Sequence, residues 1–362
     1  MGLASVEMRR AKLRFGLLTI AVALLVFLIL LLTTLSNALI SSLVGALKGL
    51  DTQALVYSTS SQDNIAASRL APETVAAVAD VPGVAAAAGV GTFTTSATVA
   101  GVEGDLQAFG FMPDAPGAPT ALSSGRLPVN DREVAIDGDA AIGDVVAIGS
   151  QSLEVVGLLR GAQFNALPTA YMTLPAYERA VTEINPGLPF VPVNAVAFTV
   201  DDVASVADVA AVVTSSVPDV KGYTLDEAVA SIPGIDSISQ SFGILVGLTF
   251  IIGIVVIGFF FLILTVQKMR TFTLLRAIGS SSGGLARTVT LQIVVVVVIA
   301  SVIALLLTLG ALQGINTGIP VSIDPVTVIG TIGAVLVFSL LAGLLSIRRI
   351  VRIDPSAAVG SR

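Results

Sequence analysis

Very few side chains in this sequence can carry the chemistry of an active site or a metal site. Its 362 residues include no Cys and no His. The lack of Cys excludes disulfides and thiol nucleophiles, and the lack of His excludes imidazole ligands and the most common general base. The G-x-x-x-x-G-K-[ST] motif that cradles nucleotide phosphates is also absent. Enzymes can work without Cys and His, but the available chemistry shrinks, and the chain is predicted to be neither an enzyme nor itself an ATPase.

One basic stretch has the pattern of an interaction segment. Residues 267–281 read QKMRTFTLLRAIGSS, which is short, basic and amphipathic, and Gly279 supplies a break at its end. Such a helix can dock into the groove of a partner protein. The alternative, which the pattern leaves open, is a loop at the membrane surface whose charge only reflects the topology.

The elements on either side of this stretch are apolar. The composition is 54% apolar and 12% charged, and crossing a bilayer takes about 20 apolar residues as a helix. Four runs are long enough, and they predict transmembrane helices at 15–43, 240–266, 288–312 and 326–347. The first run exceeds the apolar part of a signal peptide and no clear cleavage site follows it, which favours a signal anchor.

Basic residues set the orientation of these helices. Only Glu7 and Asp354 oppose twelve basic residues on one side of the membrane, and the loop 313–325 has none. The positive-inside rule therefore places an amphipathic N-terminal helix (1–14), the loop 267–287 and the tail 348–362 in the cytoplasm. The basic residues are Arg9, Arg10, Lys12, Arg14, Lys268, Arg270, Arg276, Arg287, Arg348, Arg349, Arg352 and Arg362.

The remaining segment, 44–239, is predicted to be an α+β extracytoplasmic domain. Helical patterns at 72–79 and 203–213 each end in a Val-Pro turn and enter an extended segment, which suggests two related β-α-β pieces. Between them, short alternating runs at 125–128, 133–136, 143–148 and 153–159 predict antiparallel strands. The fold class is thus four transmembrane helices plus an α+β domain with a β-rich insertion.

Several motifs carry a resemblance to a known family. They are LLRAIGSS (274–281), the series GR, EVAI, GD, VVG and PTAY between 125 and 171, and the tail RIDPSAA (352–358). The sequence resembles MacB/FtsX-type ABC transporter permeases. The motifs SIPG (231–234) and GFFF (258–261) are most similar to the hemin-exporter (HrtB-type) and DevC-type subgroup. Thr271, Phe272 and Thr273 stand where this family often has an acidic residue.

This resemblance implies a homodimer in the bacterial cytoplasmic membrane, contacting lipid and two copies of a separate ATPase that binds ATP and Mg²⁺. ATP-driven closure would expel a hydrophobic substrate, such as heme, from the outer leaflet or the extracytoplasmic side. The outer domain would contain a porter-like β-α-β part. Nucleic acid is not an expected partner. The residues expected to couple to the ATPase are Arg270, Phe272, Leu274, Leu275, Arg276 and Ile278.

The resemblance also raises the question of a heme contact. Without His or Cys, axial iron ligands would have to be Tyr, Met or a carboxylate. Tyr57 and Tyr223 lie near the two ends of the outer segment and are the candidates for heme contact. Ordinary packing is the alternative for both residues. A second functional hypothesis is an FtsX-like signalling permease, which moves nothing and regulates an extracellular cell-wall hydrolase. A membrane-anchored enzyme or adhesin has little support, because no nucleophile–base arrangement stands out.

Overall fold

The computed structural model describes residues 12–201, 204–267, 282–313 and 325–351. The chain divides into two compact units. One is the insert domain, Asn37–Ser239, and the other is the helical unit, Met1–Ser36 together with Gln240–Arg362.

The described residues contain eight α-helices and ten β-strands. In chain order they are α1 (Lys12–Lys48), β1 (Ala54–Ser58), α2 (Glu73–Ala79), β2 (Val84–Val99), β3 (Val102–Phe111), β4 (Leu122–Gly125), β5 (Glu133–Asp137), β6 (Val145–Ile148), β7 (Gln151–Leu159), β8 (Thr169–Thr173), α3 (Leu174–Ile184), β9 (Ala195–Val200), α4 (Val206–Ser216), β10 (Val220–Thr224), α5 (Leu225–Ala230), α6 (Ile235–Gln267), α7 (Ser282–Gln313) and α8 (Pro325–Val351).

Three of these helices are long and apolar enough to cross a membrane. Their apolar spans are Lys12–Lys48, Ile235–Ile263 and Arg287–Leu312. The backbone of α8 is helical over 27 residues, but its apolar part within the residues whose side chains are described is the shorter segment Pro325–Leu341. Three helices thus qualify as membrane spans by length and composition, and the fourth span remains a prediction.

One face of α1 forms the centre of the helical unit. Its buried residues recur at helical spacing and pack with buried residues of α6 and α7, such as Phe261 and Ile293. Leu17 and Leu24, on another face of α1, are exposed although they are apolar. A helix that is apolar on every side is typical of a membrane span. The buried α1 residues are Phe15, Leu18, Val22, Ala23, Val26, Ile29 and Leu30.

The insert domain is built on one mixed sheet with the strand order β10-β1-β9-β2-β3-β8-β5-β7-β4, to which β6 adds by pairing with β2 and β7. The first four strands are antiparallel neighbours, and α2 and α4 connect β1 to β2 and β9 to β10. This order is that of a split β-α-β, or ferredoxin-like, fold. The two β-α-β pieces predicted from the sequence are therefore present, and they interleave in one sheet.

The β-rich insertion grows out of this sheet through the long hairpin of β2 and β3. Ala100 and Gly101 connect Val99 to Val102, and both have positive φ, 50° and 84°. Two residues in that conformation form the tight turn that suits the twist of a hairpin.

The insertion departs from the predicted strands in two respects. Strand β4 ends at Gly125, so the predicted strand at 125–128 is wrong except for its first residue. The pair β5–β7 is parallel, whereas the sequence predicted antiparallel strands at 133–136 and 153–159. The pair β3–β8, for which no direction was predicted, is also parallel. Alternation of apolar and polar residues reports which face a side chain takes, and carries no information on strand direction.

Candidate functional site

The two tyrosines singled out in the sequence lie side by side in the insert domain. Strands β1 and β10 pair so that Leu55 faces Tyr223 and Tyr57 faces Lys221. The ring centroids of Tyr57 and Tyr223 are 5.3 Å apart with an interplanar angle of 42°. Two positions that are far apart in the sequence therefore form one aromatic pair.

Tyr57 is sealed inside the domain. Its side chain is 0% exposed, and its hydroxyl has no hydrogen-bond partner among the described residues. Burial, followed by the nearby Tyr223, raises the pKa of Tyr57 far above its ordinary value. A buried phenol without a partner stays protonated, because burial disfavours the charged form.

Tyr223 belongs to a small polar cluster next to this buried ring. Its hydroxyl donates a short hydrogen bond to Asp63, and Lys221 Nζ lies 3.2 Å from Asp63 Oδ1 and 4.8 Å from the centroid of the Tyr223 ring. Burial and then the bond to Asp63 raise the pKa of Tyr223 to about 12. Both tyrosines are therefore neutral donors in this arrangement, and their contact with heme remains a prediction.

The residues expected to couple to an ATPase lie outside the described residues. These are Arg270, Phe272, Leu274, Leu275, Arg276 and Ile278. The structure does describe the helix that precedes them, since α6 runs to Gln267. Arg14 Nη1 donates a hydrogen bond of 2.6 Å to Gln267 Oε1. This contact joins the start of α1 to the end of α6 and was not foreseen from the sequence.

The last turns of α1 are embedded in the insert domain. Val44 and Leu47 are 0% exposed, and the backbone of this end is held by hydrogen bonds such as Ala46 N–H to Gln163 O at 2.9 Å. The backbones approach so closely that a Cβ on Gly45 would lie 2.2 Å from Gly161 O. Because backbone atoms cannot yield as a side chain does, only glycine fits at position 45.

A cleft of about 460 Å³ opens on the insert domain. We name it the α3 cleft, because α3 and the segment that follows it form one wall. Its lining residues are Arg69, Thr92, Phe93, Thr94, Tyr177, Val181, Ile184, Asn185, Leu188, Pro189, Phe190 and Pro192.

A buried amide organises the floor of the α3 cleft. Asn194 is 1% exposed. Its Oδ1 accepts hydrogen bonds from Thr92 N–H at 2.7 Å and from the Tyr177 hydroxyl at 3.2 Å. Its Nδ2 donates to the carbonyl oxygens of Ile65 and Ser68. Every hydrogen-bonding group of this side chain is used, which fixes the floor in one geometry. No sequence pattern singled out Asn194.

Two family models match this chain. The MacB-like periplasmic core domain matches residues 15–216, and the FtsX-like permease C-terminal model matches residues 243–355. An uncharacterized ABC transporter permease of Mycobacterium tuberculosis (strain ATCC 25618 / H37Rv) is 24% identical over 293 residues, which cover 78% of this chain and 77% of the relative. A putative hemin transport system permease protein, HrtB, of Staphylococcus epidermidis (strain ATCC 12228 / FDA PCI 1200) is 23% identical over 249 residues, 66% of each chain.

Solved structures also match part of the chain. The periplasmic region of MacB from Actinobacillus actinomycetemcomitans covers 52% of this chain and 95% of its own, with a TM-score of 0.36 and 11% identity. The extracellular domain of the noncanonic ABC-type transporter YknZ from Gram-positive bacteria covers 48% of this chain and all of its own, with a TM-score of 0.33 and 14% identity.

The family matches fall on both parts of the molecule. One reaches from the first apolar helix to the end of α4, and the other from α6 into the tail. The relatives are named as permeases, and the match to this chain covers most of their own length, 77% and 66%. The chain therefore belongs to the MacB/FtsX-type ABC transporter permeases, which are subunits of the cytoplasmic membrane with an extracytoplasmic domain and an ATPase partner.

Proposed function

We propose that this chain is the permease of an ABC exporter, in which closure of a separate ATPase drives a hydrophobic substrate out of the outer leaflet or the extracytoplasmic side. The observation that carries the proposal is the pair of family matches, to a periplasmic core domain and to a permease C-terminal part. Heme is the first substrate to test, because a relative is named a putative hemin transport permease. In this proposal the ATPase alone binds ATP and Mg²⁺.

The proposed assembly is a homodimer in lipid with two ATPase copies, four spans per chain and both termini in the cytoplasm. Its topology can be tested cleanly, because the chain has no Cys of its own. We expect a membrane-impermeant maleimide on intact cells to label Thr317→Cys but neither Ser281→Cys nor Ser356→Cys. Labelling of Ser356→Cys from outside would contradict the fourth span.

Coupling to the ATPase is proposed to run through the basic segment at 267–281. Apolar residues would fill a groove of the ATPase, and the two arginines would pair with acidic groups at its rim. We expect Leu275→Asp to abolish co-purification of the ATPase, because a carboxylate would be buried in that groove without a partner. Thr273→Asp is the matched control, because it adds the same charge outside the proposed contact set. Equal loss in both variants would refute the assignment.

Hemin provides the test of the substrate. The assay is ATP hydrolysis by the chain co-purified with its ATPase in lipid, with and without hemin. Saturable stimulation that is lost in Tyr57→Phe and Tyr223→Phe would support heme export and contact at these residues. An active complex that is indifferent to hemin would remove heme and leave the exporter to be tested with other hydrophobic molecules.

A second function is favoured by the FtsX-like match at residues 243–355. In it, the insert domain binds and activates an extracellular cell-wall hydrolase, and no substrate is moved. The two functions differ in a measurable way. A signalling permease would couple ATP hydrolysis to hydrolase activity on cell-wall material, and no small hydrophobic molecule would stimulate it.

A further inference from the structure

The apolar wall of the α3 cleft is exposed to an unusual degree. Ile184, Leu188 and Phe190 are 46%, 44% and 48% exposed, and all three line the same opening. Single exposed apolar residues are normal on a protein surface, but several that converge on one concave site mark a place where apolar material binds. The volume of about 460 Å³ lies within the range of sites for drug-sized ligands.

Among the described residues that line the cleft, Arg69 is the only charged one, so this lining carries one positive charge and no negative charge. The guanidinium Nη1 donates to the carbonyl oxygens of Ala66 and Ser68, at 2.8 and 2.7 Å, which holds the group in place. Within the part of the chain that the structure describes, no carboxylate lies within 4.0 Å of Arg69, and its Nε and Nη2 donate to no protein group. The Arg69 guanidinium is therefore held in place and still has N–H donors that a ligand could use.

The floor of the cleft supplies no negative charge to pair with Arg69. Burial raises the pKa of Tyr177 to about 12, and the charge of Arg69 acts against this rise. The Tyr177 hydroxyl is therefore neutral at physiological pH and is already bound to Asn194 and to the Pro192 carbonyl. Glu178 is close enough to influence Tyr177, but it is not part of the lining. A rigid neutral floor next to an unpaired cation favours a ligand that brings its own negative charge.

We propose that the α3 cleft binds a drug-sized organic anion, with its carboxylate or similar group on Arg69 and its apolar body against Ile184, Leu188 and Phe190. The proposal that the cleft binds such an anion does not depend on transport. The further proposal that the exporter captures its substrate at this cleft rests on the proposed function. An anion of this size can come from solution or from a membrane lipid, and the proposal commits to a soluble one.

The test uses the full chain in nanodiscs of zwitterionic lipid and a benzoate that carries a photoreactive diazirine. The neutral primary amide of the same probe is its matched control. We expect saturable labelling by the carboxylate, mapped by mass spectrometry to residues 184–192, and about tenfold weaker labelling by the amide, as loss of one charge-assisted contact predicts. Equal labelling by both probes would overturn the proposal.

Variants separate the charge from the fold. Arg69→Gln is expected to weaken labelling about tenfold and Arg69→Lys to retain most of it, because the lysine keeps the charge. Arg132→Gln is the matched control, since Arg132 is exposed and has no ion pair among the described residues. Equal effects of Arg69→Gln and Arg132→Gln would refute the role of Arg69. Phe190→Ser should also weaken labelling, whereas Val102→Ser, at a more exposed apolar position of the β2–β3 hairpin outside the cleft, should not.

Two further arms assign the source and the role of the ligand. Competition by anionic phospholipid added to the nanodiscs would identify a lipid as the ligand and overturn the soluble anion. With the ATPase present, Arg69→Gln should raise the probe concentration needed for half-maximal stimulation of ATP hydrolysis, whereas Arg132→Gln should not change it. If the probe binds as expected and stimulates no hydrolysis, the binding site stands and its role as the capture site of the exporter fails.

Discussion

Replacing Tyr57 by Phe is expected to stabilise the insert domain. The Tyr57 ring is fully buried, and its hydroxyl has no partner within the described structure. Burying an unpaired hydroxyl costs about 1–3 kcal/mol. Phe keeps the ring and its contact with Tyr223 while it removes that cost. We therefore expect the free energy of unfolding to rise by about 1–2 kcal/mol, or about 2–8 °C in the unfolding midpoint for a domain of this size.

The composition of the chain provides a specific signal for this measurement. It has no Trp and four Tyr, and all four lie in the insert domain. Thermal unfolding of the full chain in lipid vesicles, followed by tyrosine fluorescence, therefore reports on the insert domain alone. Tyr171→Phe is the matched control, because Tyr171 is equally buried but donates a hydrogen bond of 3.3 Å to Ala46 O. Its loss should lower the free energy of unfolding by about 1 kcal/mol.

The two variants are expected to change the free energy of unfolding in opposite directions. If Tyr57→Phe destabilises the domain as much as Tyr171→Phe does, the Tyr57 hydroxyl has a partner, such as an ordered water or a bound molecule. If Tyr57→Phe is more stable and yet loses stimulation by hemin, the hydroxyl contacts the substrate. A more stable variant with full stimulation would make Tyr57 a packing residue.

Two further substitutions test the packing of the C-terminal end of α1 and the stability of the insert domain at low pH. Gly45→Ala places a methyl group 2.2 Å from Gly161 O. The free energy of unfolding of the full chain should therefore fall by about 2–3 kcal/mol. Gly16→Ala is the control, because no atom lies within 4 Å of its Cβ, and it should cause no such loss. Hydrogen bonds from Arg126 first, together with backbone donors, lower the pKa of Glu133 far below its unfolded value of 4.5. This stabilisation is present above pH 4.5 and is lost as the pH falls below it. Glu133→Gln should therefore flatten the acid limb of the stability profile, and an unchanged limb would contradict the assignment.

The sequence was most informative where many residues carry the same signal. Each of α1, α6 and α7 is a run in which almost every residue is apolar, so single exceptions do not change the prediction. The β-α-β pieces were detectable because a helical period and a turn recur before an extended segment. The direction of the strands in the insertion was not detectable. The connections that join β3 to β8 and β5 to β7 leave no local pattern from which a parallel pairing could be recognised.

The candidate sites show the same limit more sharply. Tyr57 and Tyr223 were chosen for their chemistry, but their contact depends on the register of β1 with β10, which no local pattern determines. Asn194 and Arg69 were not chosen at all. Each is a single polar residue whose role arises from partners distant in the chain, such as the bond from Asn194 Nδ2 to Ser68 O. A lone Asn or Arg gives no spacing from which a site could be recognised.

The two ends of α1 give the proposed coupling a physical basis. The helix contributes residues to both units of the chain. In the helical unit, Arg14 bonds to Gln267, the first residue of the proposed coupling segment 267–281. In the insert domain, Ala46 N–H donates to Gln163 O, and the close approach of Gly161 O leaves no space for a side chain at Gly45. In the proposed mechanism, a displacement at Arg14 passes along the continuous helix α1 to its Gly45 end. Loosening that end by Gly45→Ala should therefore weaken substrate stimulation while basal ATP hydrolysis persists.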